Sequence, residues 1–476
     1  MIKRIIFFQS LILSSVLLLC AYYFLFGVKT EPLLVPLCAL TSMVFIWTIA
    51  SWNRVTGQFF DLYTIFMLGT GAFNCGQIFL EIAGLNPKGL LFGKFSEATL
   101  FETVLFILLG LASIHFGALL RFRTSEKPGS IPRTGCPPPE LLTVGVLLTA
   151  IAFIPTLLVL REMIEIVRVS GYFGLYGRED QIGMDNLQTL ISNLFLPGLL
   201  FILAASREKK FFRVAAQLTL LVYGTIFIIL GRRGDGAEAL LSWVIVRHYC
   251  ITPIKRSVML AMASIMLIVI FPLIASVRNI DLGERGNLSM LVQAYQGIDN
   301  PATAAIAEMG GSMQAISHTL ELVPKTRDYD WGASYYYAAL SVFPNLFWKI
   351  HPSVARGSPS VWLVNTVEPD IAELGGGLGY SYLAEAYFNF GWWGGALMLM
   401  AIGYALSSLV SWSQFSGDPV KIATAVAFFS SLLGFVRADS QSVIRPLFWY
   451  SLMPYLLVKI LQSGNKITSR THFEAR

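Results

Sequence analysis

Twelve apolar stretches of near-bilayer length constrain this chain more than any other feature. They lie near 5–28, 32–52, 59–84, 99–120, 141–160, 188–205, 214–230, 237–254, 257–277, 380–411, 420–436 and 443–461. A helix needs roughly 20 predominantly apolar residues to cross the hydrocarbon core of a bilayer. Hydrophobic residues make up 55% of the chain and charged ones 13%, whereas charge accounts for about 25% of a soluble chain. A soluble globular protein is therefore excluded. The expected fold is all-α, a polytopic integral membrane protein with about 12 transmembrane helices. The runs place nine helices in residues 1–277, a long loop over 278–378, and three helices with a tail in 379–476.

Thirty-five Lys and Arg against twenty-nine Asp and Glu give a formal charge of +6. The surplus sits in short segments beside the apolar runs, which marks topology and implies no nucleic-acid partner. With the N-terminus inside, the cytoplasmic segments hold nineteen basic residues, the short outside loops ten and the long loop six. Both termini are thus expected inside and residues 278–378 outside. The weakest run is 237–254, which Arg247 and His248 interrupt; Lys255 and Arg256 behind it favour a crossing, with Arg247 reaching to the inner face. Leu19-Cys20 has the look of a lipoprotein cleavage site, but a bulky leucine precedes the cysteine and the apolar run continues, so the first span is expected to remain uncleaved. Cys20, Cys38, Cys75, Cys136 and Cys250 show no CxxC spacing and imply neither a metal site nor a disulfide framework.

A loop of about 100 residues without a function is uncommon. This one carries Trp331, Tyr335, Tyr336, Tyr337, Phe343, Phe347, Trp348 and Trp362, enough aromatic surface to fold onto the membrane domain, and residues 332–350 are expected as an amphipathic interfacial helix. Its ten acidic residues outnumber its six basic ones, which argues against a nonspecific groove for a polyanion. Asp328 and Asp330 form a DxD-like pair, read as a solvated surface pair because that signature works with a metal and a nucleotide sugar. His318 and His351 lack ligand spacing, and no metal is assigned to them. The Pro-rich run at 137–139 falls in an ordinary cytoplasmic connector.

Several arginines converge on the expected outer side from segments far apart in sequence: Arg232 and Arg233, Arg278 and Arg285, Arg356, Arg437 and Arg445. Outside arginines run against the positive-inside bias. A guanidinium grips phosphate in bidentate fashion, which suits a lipid diphosphate at headgroup depth. The competing reading is ordinary ion pairing, since Asp235, Glu238, Asp281, Glu284 and Asp439 lie close in sequence.

The tenth run holds the most informative pattern. Gly375-Gly376-Gly377-Leu378-Gly379 leads into a helix on which Ser381, Glu385 and Asn389 fall at i, i+4 and i+8, a polar stripe on one face. A carboxylate within a span usually faces the bundle interior and marks function, so Glu385 is a candidate general base. Pairing with an arginine to hold two helices together is the alternative. The glycines either bring helix N–H groups to a phosphate or simply permit a turn. Tyr380, Tyr382 and Tyr387 either stack on sugars or belong to an interfacial belt. Asn74, Gln77 and Glu81 form a similar stripe in the third run, more in keeping with helix-to-helix contacts than with a cavity lining.

Together, Gly231-Arg232-Arg233-Gly234, the run from Gly377-Leu378-Gly379-Tyr380-Ser381 through Ala384-Glu385-Ala386-Tyr387-Phe388-Asn389-Phe390-Gly391, and Phe435-Val436-Arg437-Ala438-Asp439 before Arg445-Pro446 resemble the Wzy-type O-antigen polymerases. The resemblance implies a GT-C-like glycosyltransferase of the bacterial inner membrane. Such an enzyme moves a growing glycan from undecaprenyl diphosphate onto a new undecaprenyl-diphosphate-linked repeat at the periplasmic face. It further implies substrate-binding roles for Arg232 or Arg233, Arg278, Arg356 and Arg437, a base at Glu385 or a loop carboxylate, no cofactor, and a chain-length regulator as a partner. An O-antigen ligase and a lipid-linked oligosaccharide flippase or transporter remain as alternatives.

Overall fold

The computed structural model describes residues 1–27, 30–86, 89–122, 134–175, 184–273, 288–298, 300–345 and 348–474. Among them it is helical, with no strand. The first part comprises α1 (Ile2–Phe26), α2 (Leu34–Thr56), α3 (Leu62–Asn74), α4 (Gly76–Ile82), α5 (Glu97–Phe122), α6 (Pro139–Ser170), α7 (Met184–Ser192), α8 (Phe195–Ala205), α9 (Lys210–Ile229), α10 (Arg233–Val246) and α11 (Arg256–Ile265). The long loop folds into short helices: α12 (Leu288–Gln296), α13 (Pro301–Gly310), α14 (Met313–Leu322), α15 (Ala333–Leu340), α16 (Pro352–Arg356), α17 (Pro359–Val367) and α18 (Pro369–Glu373). The chain ends in α19 (Tyr382–Ser413), α20 (Pro419–Phe435), α21 (Gln441–Pro446) and α22 (Met453–Glu474).

Among the described residues, each of the twelve apolar runs falls on a helix or a broken helix pair. Eight helices among the described residues are long and apolar enough to cross a membrane, and nine if the bent pair α3–α4 counts as one span. The runs at α10, α20 and α21–α22 are helical too, but shorter or interrupted. The chain is an all-α polytopic membrane protein. Helices prevail because no water inside a bilayer can satisfy exposed backbone N–H and C=O groups. Rows of exposed Phe7, Leu11, Leu18 and Leu25 on α1, Ile151 and Ile154 on α6, and Leu218 and Val222 on α9 have the apolar outer surface that lipid requires.

Two elements depart from the sequence expectations. The third run is not one straight helix, since α3 and α4 meet at 66°. At the bend, Asn74 Nδ2 donates to the Val436 carbonyl at 3.0 Å, and Gln77 Nε2 donates to the Ala307 carbonyl at 2.9 Å. The two polar residues thus tie α3 to the end of α20 and α4 to α13. Residues 332–350 do not form one interfacial helix either. Among their described residues only α15 is helical, and the chain turns after Leu340, ahead of Pro344, which cannot continue a helix. The weak run at 237–254 is a continuous helix through α10 and a π-helical turn to Ile251.

The centre of the molecule is α5, packed against α1, α2, α14 and α19. Its contact with α19 is backbone to backbone. A Cβ on Gly117 would lie 1.9 Å from the Met400 carbonyl oxygen, and one on Gly403 would lie 1.8 Å from that of Ile114. Without a hydrophobic driving force between helices in lipid, such close approach of small residues carries the packing. Gly403→Ala is therefore expected to force α5 and α19 apart at a cost of about 1–3 kcal/mol, read as a lower melting temperature in detergent. A melting temperature equal to wild type would contradict the close crossing.

Orientation has its own test. Cys136 is the exposed cysteine of the chain, while Cys20, Cys38, Cys75 and Cys250 are buried. On the charge asymmetry, Tyr336→Cys, in the exposed part of α15, reacts with a membrane-impermeant maleimide in intact cells, and Cys136 reacts only after permeabilisation. The reverse pattern would invert the topology.

Candidate active site

Helix α19 starts and breaks in ways that build the site. Ser381 caps its N-terminus, its hydroxyl accepting from the Leu383 N–H at 3.1 Å. Ten residues on, Gly391 adopts φ +63° and interrupts the helix. The interruption leaves the Phe388 and Asn389 carbonyls without their usual helical partners. The N–H groups of Asp330 and Trp331 fill that place, each at 3.0 Å, and the Asn389 side-chain oxygen accepts from the Gly332 N–H at 2.9 Å. The long loop is thereby fastened to the first segment of α19.

Glu385, one turn into that segment, is fully buried. Its Oε1 accepts from the Ser334 hydroxyl at 2.7 Å and the Ser440 hydroxyl at 2.6 Å, and its Oε2 accepts from the Ser440 N–H at 2.7 Å. These partners are serines and an amide, not the arginine that the structural alternative foresaw. Asn389 completes the stripe by donating to the Ser334 hydroxyl and to the Glu385 carbonyl, both at 2.8 Å. Burial, with the neighbouring Glu385 carboxylate next in size, holds the Tyr335 phenol well above its usual range, so its hydroxyl remains a proton donor.

The turn that supplies Ser440 also carries Arg437. The Arg437 carbonyl accepts from the Tyr380 N–H at 2.9 Å, pinning the turn to the entrance of α19. Arg437 is an exposed residue, and its guanidinium lies 5.9 Å from the Phe73 ring centroid. Gly379, at φ +74°, backs directly onto it, and a Cβ there would come within 3.2 Å of Arg437 Nε. The glycine before the helix therefore makes room for an arginine. Asp439, between Arg437 and Ser440, accepts from the Ser360 N–H and hydroxyl on α17, the latter at 2.7 Å.

Beside this turn, Arg327 and Arg356 both donate through an NH2 group to Asp330 Oδ1, the first at 3.3 Å. Arg327 lies over the Phe388 and Trp362 rings at 4.8 and 5.0 Å, and Arg356 over Tyr337 at 4.7 Å. The Asp330 side chain is only 6% exposed. Asp330 is therefore an enclosed ion-pair centre, not the solvated surface residue expected of a DxD-like pair.

The other expected residues are spread more widely. Arg232 grips Asp235 in bidentate fashion, Nε to Oδ2 at 2.8 Å and NH2 to Oδ1 at 3.0 Å, so the ion-pair reading holds for it. It sits at the same end of the bundle as Arg437, because Glu238 on α10 faces Gly434 on α20. The Arg233 side chain, Arg278 and Arg285 lie outside the described residues. Arg445 is on α21 with its Nε buried and without a hydrogen-bond partner. Tyr380 is fully buried, with its hydroxyl 3.5 Å from that of Thr319. Tyr387 is 4% exposed and donates to the Val323 carbonyl at 3.1 Å. Both rings lie in the packing rather than facing solvent. His318 packs on Phe95, and burial lowers its pKa. Among the described residues no three His, Cys, Asp or Glu side chains gather as a metal site would need.

Sequence reasoning passed over Arg327, Ser334 and Ser440. The i, i+3 spacing of Arg327 and Asp330 was a usable signal for the first. The serines had none, because a lone serine in a loop has no pattern.

The three donors around Glu385 lead to a stability prediction. Glu385→Gln turns an N–H₂ group toward one of them and is expected to cost about 1–3 kcal/mol, visible as a lower melting temperature of the purified protein. Ser440→Ala keeps the backbone contact and is expected to cost less. An unchanged melting temperature in the Gln variant would mean that these contacts do not hold the loop to the bundle.

No curated protein and no solved structure matches the chain significantly. A family model described as O-antigen polysaccharide polymerase Wzy matches residues 5–464. With its length matched almost end to end and a bundle of membrane-crossing helices beneath the site, the chain belongs to the Wzy family of O-antigen polysaccharide polymerases.

Proposed function

We infer that this polymerase works on undecaprenyl-diphosphate-linked repeat units at the periplasmic face of the bacterial inner membrane. The growing glycan leaves its undecaprenyl diphosphate for a hydroxyl at the nonreducing end of an incoming lipid-linked repeat. The observation that carries the reading is one turn, residues 437–440, which joins the exposed residue Arg437 to the buried Glu385 carboxylate through Ser440. One end of the turn suits a departing diphosphate and the other a proton. Family membership favours polymerisation over the ligase and flippase alternatives. A GT-C-like architecture and a chain-length regulator as partner rest on the family resemblance alone.

The chemistry balances within these groups. The acceptor oxygen forms a bond to C1 of the donor's reducing-end sugar as the C1–O bond to phosphate breaks, and the diphosphate leaves with the electron pair. Arg437, with Arg356, stabilises that developing charge. The acceptor proton passes to Glu385. Since both Glu385 oxygens are already occupied, a sugar hydroxyl reaches it by replacing a serine hydroxyl or through one. Ser440, whose hydroxyl donates to Glu385 at 2.6 Å, relays the proton, taking one from the sugar as it gives its own to the carboxylate.

In a strain lacking the gene, Arg437→Lys is expected to yield mainly single repeats instead of long polymer, because Lys keeps the charge but loses the bidentate fork. Full-length polymer at normal abundance would remove Arg437 from the diphosphate. In purified protein, Glu385→Gln is expected to slow polymerisation by roughly 10² to 10⁴, the range for general-base catalysis, a loss larger than its change in folded fraction accounts for. Ser440→Ala loses a similar factor if it relays the proton. Wild-type turnover in the Gln variant would pass the base role to Glu368, Asp370 or Glu373.

A further inference from the structure

The Arg327–Asp330–Arg356 group has features that an ion pair alone does not need. One carboxylate requires one cation, yet two guanidinium groups from separate loop segments meet at the same oxygen, Oδ1. The group therefore carries a surplus positive charge. Each guanidinium reaches Asp330 through NH2, which leaves further N–H donors of its five-donor fork for a ligand. Both are partly exposed, at 34% and 27% of the side chain. The second carboxylate oxygen, Asp330 Oδ2, is buried and has no hydrogen-bond partner. Buried acceptors are rarely left unpaired, and one beside two partly exposed arginines is suited to a ligand hydroxyl.

The backbone around Asp330 is equally particular. Trp331 adopts φ +50° and Gly332 φ +88°, a conformation costly for tryptophan. It is held there by the α19 carbonyls that receive the Asp330 and Trp331 amides. Asp330 thus lies beside Arg327 and Arg356, whose guanidinium groups sit over the Trp362, Phe388 and Tyr337 rings.

We propose that Arg327, Asp330 and Arg356 form a recognition subsite for the sugar–phosphate junction of a lipid-linked oligosaccharide. The guanidinium edges hold phosphate oxygens, and Asp330 Oδ2 accepts a hydroxyl of the sugar attached to them. This deepens the polymerase reading above and rests on it for the identity of the ligand. Asp330 is a positioning residue for the two arginines and a specificity residue for the sugar.

The test uses purified full-length protein in detergent, with inorganic pyrophosphate as the first probe. Pyrophosphate is expected to raise the melting temperature of wild type, and the rise shrinks or vanishes in Asp330→Asn and in Arg327→Lys. In polymerisation assays both variants are expected to show a KM for lipid-linked repeat about 10- to 100-fold higher, as loss of a charged hydrogen bond implies, with kcat changed far less. Asp330→Asn is further expected to weaken binding of the glycosylated lipid diphosphate more than of undecaprenyl diphosphate; equal weakening overturns the sugar contact. A normal pyrophosphate response and KM in both variants, or lowered stability with an unchanged KM, overturns the subsite. If Asp330→Asn does not fold, Arg327→Lys alone decides. Wild type that binds pyrophosphate through these residues yet joins no repeats would sink the polymerase reading and leave the anion site standing.

Discussion

The site depends on one buried carboxylate. Removing an ionised or polar group from water is costly unless hydrogen bonds replace the lost hydration. Glu385 meets that demand with three donors from two segments that are distant in sequence, Ser334 at the start of α15 and Ser440 after α20. The carboxylate is therefore satisfied only when the loop, the final turn and α19 are docked together. That coupling explains how residues scattered over the second half of the chain can hold one geometry. It also explains why Arg437 stands where it does, since the turn that brings Ser440 to Glu385 carries Arg437 with it.

The break at Gly391 plays the matching part on the other side. An uninterrupted α19 would bond its own Phe388 and Asn389 carbonyls and offer the loop nothing to hold. The interruption turns those carbonyls outward to the Asp330 and Trp331 amides. Tyr329 fills the space a side chain at 391 would need, with its ring and hydroxyl 3.0 Å from that Cβ position. The glycine thus converts a membrane helix into a docking edge for the segment that carries Asp330.

Much of this fold was legible in the sequence because the membrane reduces the possibilities to helices of known length. The apolar runs located the helices, and the i, i+4, i+8 spacing put Ser381, Glu385 and Asn389 on one face. What pattern alone did not reveal were the partners. Ser334 and Ser440 meet Glu385 through tertiary docking that no local periodicity encodes. The bend after Asn74 depends on the Val436 carbonyl and on α13, which come from far along the chain. Asp330 reads as solvated because a DxD-like pair without its metal and nucleotide sugar has no partner in sequence, while the rings beside its group, Trp362 and Phe388, belong to α17 and α19.

The arginines show how environment separates residues that composition treats alike. Arg232 has its fork filled by both oxygens of Asp235, with the pair partly solvated. A ligand phosphate there must compete with a carboxylate already in bidentate geometry. Arg327 and Arg356 divide a single oxygen between them and rest on aromatic faces, which restrict the guanidinium planes without consuming their N–H donors. The cost of ordering two long side chains is met on folding rather than on binding, the general advantage of a preorganised site. A lysine in either place would keep the charge but lose the planar stacking and the forked donors. The arrangement therefore selects arginine for geometry as much as for charge, and a flat, fixed pair of forks is suited to an anion with several oxygens in a row.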